Sequence, residues 1–326
     1  MAQKQYTLNR AKEVKNDEFY TLMEDIEAEI SQYDFSHFKN KVIYCNCDDP
    51  TWSNFYKFFV KWGKKLGIKE AIFTNFSNSK RKFKQLTLFE NDDLKESAED
   101  DKKGTAHYWV YTPATDKTIK NKLTGNGDFR SDECIKFLEQ ANIVVTNPPF
   151  SLFREYVEQL VNHEKNFLII GDLNATHYKE IFKLIQANKL WYGYSYPKKF
   201  LTHKNEQVKF GNKCWYTNID IVKRHKLMVL HPQDISQFPK YDNYDAIDIP
   251  QVKMIPDNYY GAMGVPDTFI QNYNPDQFEI IGIPFGNLGK EIGVTKNYRG
   301  RTDISYTLNG QTSCPYSRII IKRRSE

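Results

Sequence analysis

Two apolar periodicities alternate along the first 230 or so positions. Short runs rich in β-branched and aromatic residues, with the length of buried strands, fall at 41–47, 71–76, 108–112, 143–145, 167–171, 190–194 and 214–219. Between several of them the apolar residues follow the i, i+3, i+4, i+7 spacing of one helix face. The sets are Phe19, Leu22, Met23, Ile26 and Ile30; Phe55, Phe58, Phe59, Trp62 and Leu66; residues 132–140; Phe153, Tyr156, Val157, Leu160 and Val161 behind a capping Ser151; and Tyr178, Ile181, Phe182 and Ile185. Strands alternating with helices predict an α/β fold built on a doubly wound, mostly parallel sheet with right-handed crossovers. The stretch 77–104 breaks the pattern with dense Lys, Asp, Glu, Asn and Ser, and reads as a surface insertion. From about His231 prolines and aromatics crowd together with little helical period, so residues 231–326 read as a separate, loop-rich region that ends in R-I-I-I-K-R-R.

Composition narrows the class without choosing a function. Lys and Arg number 46 against 41 Asp and Glu, a formal charge of +5 that permits a polyanionic partner without demanding one. The five cysteines, Cys45, Cys47, Cys134, Cys214 and Cys314, are odd in number and lack paired C-x-x-C zinc spacing, which fits a reducing compartment and no metal. The first residues, M-A-Q-K-Q-Y-T-L-N-R, lack the apolar core of a signal peptide. No run approaches the ~18 apolar residues of a membrane span. A soluble, cytoplasmic protein with no membrane partner is expected.

The most specific chemistry lies at the end of the strand at 143–145, where the chain reads V-V-T-N-P-P-F. Each proline biases the residue before it away from helix, so the tetrapeptide should leave the strand extended and stiff, at the strand end where open α/β sheets bind ligands. Adenine's exocyclic amine is a poor nucleophile because its lone pair is delocalised into the ring. Asn147 Oδ1 and the Pro148 carbonyl can accept its two hydrogens and favour a tetrahedral nitrogen. Pro149 holds the bend, and Phe150 offers a face to a flipped base. A sulfonium methyl donor would carry the hard chemistry, leaving the protein to align donor and acceptor. The bland alternative is a strand ending in a Pro-Pro turn.

Taken together, N-D-E-F-Y-T, Y-C-N-C-D-D-P-x-x-S-N-F, G-N-G-D-F-R-S-D-E-C-I, V-V-T-N-P-P-F-S-L-F-R-E-Y-V and G-V-P-D-T-F-I-Q-N-Y-N-P-D-Q-F-E-I-I-G give the chain a resemblance over most of its length. It resembles the EcoRI-type adenine-specific DNA methyltransferases, a branch of the class I S-adenosylmethionine-dependent enzymes. The resemblance implies S-adenosylmethionine as cofactor, duplex DNA as partner, a flipped adenine as substrate and a restriction–modification or phage setting, with a cognate restriction endonuclease reading the same site. It makes residues 1–230 the catalytic domain and residues 231–326 the region that reads the target.

The same resemblance puts Asp17, Phe19, Tyr20 and Thr21 near the cofactor's methionine end, and Asn46, Asp48, Asp49, Asn54 and Asn147 along its path. Asp128 would accept from the cofactor's adenine amine with Phe129 on its face, and Trp215 or Tyr216 would sandwich the flipped base against Phe150. Two departures stand out: no G-x-G follows the first strand, and the second strand, ending near Asn75, lacks a ribose-binding acid. Candidate phosphate contacts are Lys198, Lys199, Lys223, Arg224, Arg299 and Arg301, with further cations at Arg318 and 322–324. An RNA adenine methyltransferase, a protein glutamine methyltransferase and a non-catalytic DNA-binding protein on the same fold are the rival readings.

Overall fold

The computed structural model describes residues 19–47, 49–77, 106–202 and 206–324. Most of the 77–104 insertion, Asp17 and Asp48 lie outside them. The chain forms two compact units, residues 1–175 with 193–219 and residues 176–192 with 220–326. Compared with a division at residue 230, the stretches 176–192 and 220–230 join the C-terminal part.

The first unit carries β1 (Tyr20–Thr21), β2 (Val42–Cys45), β3 (Glu70–Thr74), β4 (His107–Thr112), β5 (Lys117–Lys122), β6 (Ile143–Thr146) and β7 (Asn166–Asp172). Beyond β8 (Trp191–Tyr192), which belongs to the second unit, it continues with β9 (Lys199–Leu201), β10 (Gln207–Lys209) and β11 (Lys213–Thr217). Its large sheet runs β5-β4-β3-β2-β6-β7-β11. β3, β2, β6 and β7 are parallel, whereas β4 is antiparallel to β3, β5 to β4 and β11 to β7. The sheet is therefore mixed rather than mostly parallel. A tight hairpin through Asp116, at φ 52°, returns the chain as β5, which antiparallel strands allow and parallel ones do not. β5, K-T-I-K-N-K, is largely exposed, so it carries no apolar signal that could have announced it.

The apolar periodicities become helices where expected. Helix Asn54–Leu66 buries Phe55, Phe58, Phe59 and Leu66; Ser53 caps it by accepting from Phe55 N, and Gly67 ends it in the left-handed conformation. Each such buried aromatic is worth about 1.5–3 kcal/mol relative to exposure. Helix Asp132–Gln140 is capped by Ser131, which accepts from Cys134 N. Helix Phe153–Asn162 buries Phe153, Tyr156, Val157 and Leu160. Ser151 does not cap it: the serine lies within a 3-10 turn, Phe150–Leu152, that brings the chain out of the proline bend first. Phe19 and Leu22 likewise fall outside the first helix, which is Met23–Ile30, because residues 20 and 21 pair with β9 instead.

Glu29 on that helix is wholly buried. Its Oε1 accepts from Tyr33 Oη at 3.0 Å and Tyr194 N at 2.8 Å, and its Oε2 accepts from Ser195 N at 2.6 Å and Ser195 Oγ at 2.7 Å. Burial pushes the carboxyl above its usual range, against the pull of Ser195, Tyr194 and Tyr33. Glu29→Gln would set an amide N–H₂ against a backbone donor and should lower unfolding free energy by about 2 kcal/mol. Urea titration checks this, and an unchanged midpoint would refute it.

In the second unit, β12 (Ile247–Asp248), β13 (Met263–Pro266), β14 (Phe278–Gly282) and β17 (Arg318–Arg323) form a sheet in the order β12-β13-β17-β14. β15 (Tyr306–Leu308) and β16 (Gln311–Ser313) make a hairpin. Helix Lys179–Gln186 reaches β14 through Gln186 Nε2, which donates to the carbonyls of Ile280 and Ile281. The region is thus less irregular than its prolines suggest. Its strands are short, and Pro266 sits at the end of one, where a missing N–H is tolerated. The apolar tail supplies β17, paired on both sides, and its Ile319, Ile320 and Ile321 are all buried.

Candidate active site

The adjacent parallel strands β2 and β6, in register at Tyr44↔Val144, end side by side. β3 lies on the other side of β2, so the strand order reverses between β2 and β6, the position at which open α/β sheets form a ligand crevice. The N-P-P-F turn leaves the end of β6 there. Asn147 and Pro148 are buried while Pro149 and Phe150 are half-buried. Pro149 has φ −56° and ψ 123°, the φ being the one its ring fixes.

Asn147 Nδ2 donates to the Phe19 carbonyl at 2.5 Å, joining two motifs that are 128 positions apart. The bond assigns the ends of the amide: nitrogen points into the protein chain, and Oδ1 is the end with acceptor chemistry. Next to Phe19, β1 is fixed on β9 by the pairs Tyr20↔Leu201 and Thr21↔Phe200, and the Thr21 carbonyl accepts from Asn54 Nδ2 at 2.8 Å. Residues 19–21 are thereby tied to the start of the helix that follows β2. Thr21 Oγ1 is buried with no hydrogen-bond partner among the described residues.

The turn after β2 is organised by its own side chains. Asn46 Oδ1 accepts from the Tyr156 hydroxyl. Asp49 Oδ1 accepts from Thr51 N at 2.9 Å and Thr51 Oγ1 at 2.7 Å, an Asx turn that leads into the capped helix. Asp49 Oδ2 accepts from Asn75 Nδ2 at 3.4 Å, and Asn75 Oδ1 accepts from His107 N at 3.0 Å. The end of β3 therefore reaches the carboxylate of the β2 turn instead of carrying an acid of its own. Asp17 and Asp48, expected alongside, lie outside the described residues.

Loop 124–131 closes on the same strand ends. Ser77 N donates to the Asn126 carbonyl at 2.8 Å. Asp128 forms a two-point ion pair with Arg130, Oδ1 to Nε at 2.9 Å and Oδ2 to Nη2 at 2.7 Å, and that guanidinium holds its carboxyl below the usual range. Phe129 is buried, edge-on to Tyr156 at 5.1 Å. A ligand amine meeting Asp128 would share it with Arg130.

Around Phe150 the structure gathers side chains that the sequence pattern did not single out for this role. Phe19 lies nearly parallel to it (centroids 6.3 Å, 17°), and Phe200 and Phe210 stand edge-on at 6.4 Å each. Lys213 Nζ sits 3.8 Å from the ring centroid and is ion-paired to Asp172 Oδ2 at 3.0 Å. Trp215 and Tyr216 are instead wholly buried, Trp215 against Phe55 and Tyr216 against Phe153, with the Tyr216 hydroxyl donating to the Asp172 carbonyl. Every residue of β11 is buried, and because successive side chains on a strand point to opposite faces, Trp215 and Tyr216 are core on either side of the sheet. Phe200 and Phe210 escape sequence reading because only the pairing of β9 with β1 and β10 brings them to the site.

The cations divide into two groups. Lys198, Lys199, Arg299 and Arg301 are exposed, and Lys223 is half-buried. Arg224 is turned inward, its guanidinium 3.8 Å from the Trp191 ring centroid and bonded to Asn188 Oδ1 at 2.9 Å. Arg318 is held by Asp248 at 2.8 Å, and Arg323 by the Tyr260 ring and the Asp257 carbonyl. Among the described residues no helix is long and apolar enough to cross a membrane, and no group of three His, Cys, Asp or Glu side chains is placed to hold a metal ion.

A family model described as adenine-specific methyltransferase EcoRI matches residues 7–324. Among curated proteins, the chain is 39% identical to the Type II methyltransferase M.EcoRI of Escherichia coli, over 97% of this chain and 96% of that protein. It is 35% identical to each of the Type II methyltransferases M.MgeORF184P of Mycoplasma genitalium and M.MpnI of Mycoplasma pneumoniae, over 97% of this chain and 98% of each relative. No solved structure matches.

Proposed function

The chain belongs to the EcoRI family of adenine-specific methyltransferases, and from that membership we propose that it transfers a methyl group from S-adenosylmethionine to the exocyclic amine of an adenine turned out of duplex DNA at a specific sequence. The setting is restriction–modification, with a cognate endonuclease that cuts the same site when it is unmethylated. The observation that carries this reading to particular atoms is the bond from Asn147 Nδ2 to the Phe19 carbonyl. It unites the N-P-P-F turn and the F-Y-T part of the N-terminal motif at the reversal point of the sheet, where a cofactor and a base have to meet. In this reading the mixed sheet is a doubly wound core, with helices Asn54–Leu66 and Asp132–Gln140 among its crossovers.

The polar lining suits the cofactor. Thr21 Oγ1 is a buried hydroxyl with no partner among the described residues, as expected of an atom that serves a ligand. Asp49 and Asn75 bring a carboxylate and an amide to the ends of β2 and β3, where an amino group and a ribose need partners. Asp128 and Phe129 take the cofactor's adenine. When bound, the cofactor supplies an electrophilic methyl on sulfonium. Asn147 Oδ1 and the Pro148 carbonyl accept the two hydrogens of the target amine, localise its lone pair and aim it. Phe150 stacks the base, and the nearly parallel Phe19 takes the opposing role first assigned to Trp215 or Tyr216.

One flipped base carries no sequence information about its neighbours, so the target must be read elsewhere. We assign that task to the second unit. There Asn297 builds a rigid turn: its Oδ1 accepts from Arg299 N at 2.9 Å and Arg301 N at 3.1 Å, and its Nδ2 donates to the Asp303 carbonyl at 3.2 Å. The turn presents two exposed guanidiniums in advance of any partner, which suits phosphate contact. Lys198 and Lys199 are further candidates.

Methylation of a random-sequence duplex library with labelled S-adenosylmethionine, followed by nucleoside digestion and mapping of the modified bases, tests the reading. The expected product is N6-methyladenine within one short recurring sequence. Label in cytosine, label in protein, or preferential transfer to an RNA competitor would overturn it.

A further inference from the structure

We propose that Lys213, fixed by Asp172, is a positioning residue that holds the ring of Phe150 in register for the extruded adenine. The proposal rests on the reading of Phe150 as a stacking surface. Lys213 opens β11, and only 4% of its side chain is exposed. An ammonium withdrawn from water to this degree is costly, and an apolar pair of similar volume would serve folding as well or better. What distinguishes this ion pair is its third member.

On one side the ammonium meets Asp172 Oδ2 at 3.0 Å, and that oxygen also accepts from Asn212 Nδ2 at 2.7 Å. Asp172 ends β7 directly opposite Lys213 in the antiparallel register, and its carbonyl accepts from the Tyr216 hydroxyl at 2.8 Å. The carboxylate therefore cannot follow the lysine if the lysine moves. On the other side the ammonium lies 3.8 Å from the Phe150 centroid and 5.1 Å from that of Phe210. At 3.8 Å a cation is over the face of a ring rather than at its edge. Rotation of Phe150 about its Cβ–Cγ bond would turn that face away from the charge. Lys213 thus caps one face, resists rotation and leaves the opposite face to the purine. The chain from Asp172 through Lys213 to Phe150 links β7 and β11 to the N-P-P-F turn.

The test is a double-mutant cycle read on duplex DNA carrying 2-aminopurine at the target adenine, whose fluorescence rises on extrusion, together with kcat/KM on unmodified DNA. Lys213→Met should lower kcat/KM about tenfold, the scale of a desolvated cation–π contact. It should also reduce the fluorescence rise, while the affinity for S-adenosylmethionine stays unchanged. Lys213→Arg should restore most of both. On a Phe150→Ala background, Lys213→Met should add little further loss, because the lysine acts through the ring it caps. Losses that multiply, or a Lys213→Met enzyme with normal rate and extrusion beside an impaired Phe150→Ala enzyme, would overturn the proposal but leave the stacking role of Phe150 standing. An unimpaired Phe150→Ala enzyme would remove that role and the proposal with it. Lys213→Met leaves the Asp172 carboxylate without its ammonium, so the double variant Lys213→Met/Asp172→Asn is measured beside it. The same tenfold loss there supports the proposal, and recovery to the wild-type rate refutes it.

Discussion

Asn147→Ala should lower kcat by at least about 10²–10³-fold, the usual cost of removing one preorganised polar partner from a reacting centre, with little change in DNA affinity. The loss has two components, because the amide has two jobs. Oδ1 is the proposed acceptor for the target amine, whereas Nδ2 donates to the Phe19 carbonyl at 2.5 Å and fixes the segment that carries Thr21. Asn147→Asp separates them: it keeps an acceptor for the substrate but places a carboxylate oxygen against the Phe19 carbonyl. If β1 covers the cofactor, the aspartate variant should bind S-adenosylmethionine more weakly than the alanine variant does. Single-turnover rates with calorimetric cofactor affinities measure both effects. An alanine variant within tenfold of wild-type kcat would remove Asn147 from the chemistry. Equal cofactor affinities in the two variants would remove the carbonyl contact from any role in binding.

That dual role shows what could and could not be read along the chain. The run I-V-V-T and the two prolines make a buried strand with a stiff exit legible from residue types alone, and the structure has β6 and an extended Pro149 in those places. The amphipathic helices were legible for the same reason: burial of one face imposes a spacing. The contact between Asn147 and Phe19 spans 128 positions and leaves no periodic trace in either segment. Phe200, Phe210 and Lys213 were silent for a related cause. The stretch K-F-G-N-K-C-W-Y offers five rings or cations within a few residues of one another, and strand pleating alone decides which go inward. Trp215 and Tyr216 were the natural choice by type, yet both are core, while Lys213, at the start of the same strand, meets Phe150. The mixed character of the sheet escaped because apolar patterning records burial and not direction: β4 and β11 were legible as strands, yet both run antiparallel to a neighbour, and β5, polar and exposed, gave no signal.

The second large effect is expected at a residue with no side chain. Gly127→Ala should weaken S-adenosylmethionine binding by at least about tenfold and lower the melting temperature, although position 127 donates no functional group. Gly127 is at φ 74°, a region that costs a residue with Cβ about 1–2 kcal/mol. A Cβ there would also land on the carbonyl oxygen of Asn75, well inside van der Waals contact, with Ala106 Cβ 3.0 Å away. Neither neighbour yields easily. One is backbone at the end of β3, and the Asn75 side chain beside it is bonded to both Asp49 and His107. The loop must therefore move, breaking the bond from Ser77 N to the Asn126 carbonyl and carrying Asp128 and Phe129 away from the strand ends. Gly125→Ala is the matched control: two residues earlier in the same loop, a Cβ would meet only Glu133 Oε2, at an ordinary 3.8 Å, so affinity and melting should stay near wild type. Calorimetric titration with the cofactor and thermal unfolding of both variants decide the matter. If Gly127→Ala binds as tightly as Gly125→Ala, the approach of this loop to β3 is not what places Asp128 and Phe129 for the cofactor, and their assignment to its adenine falls.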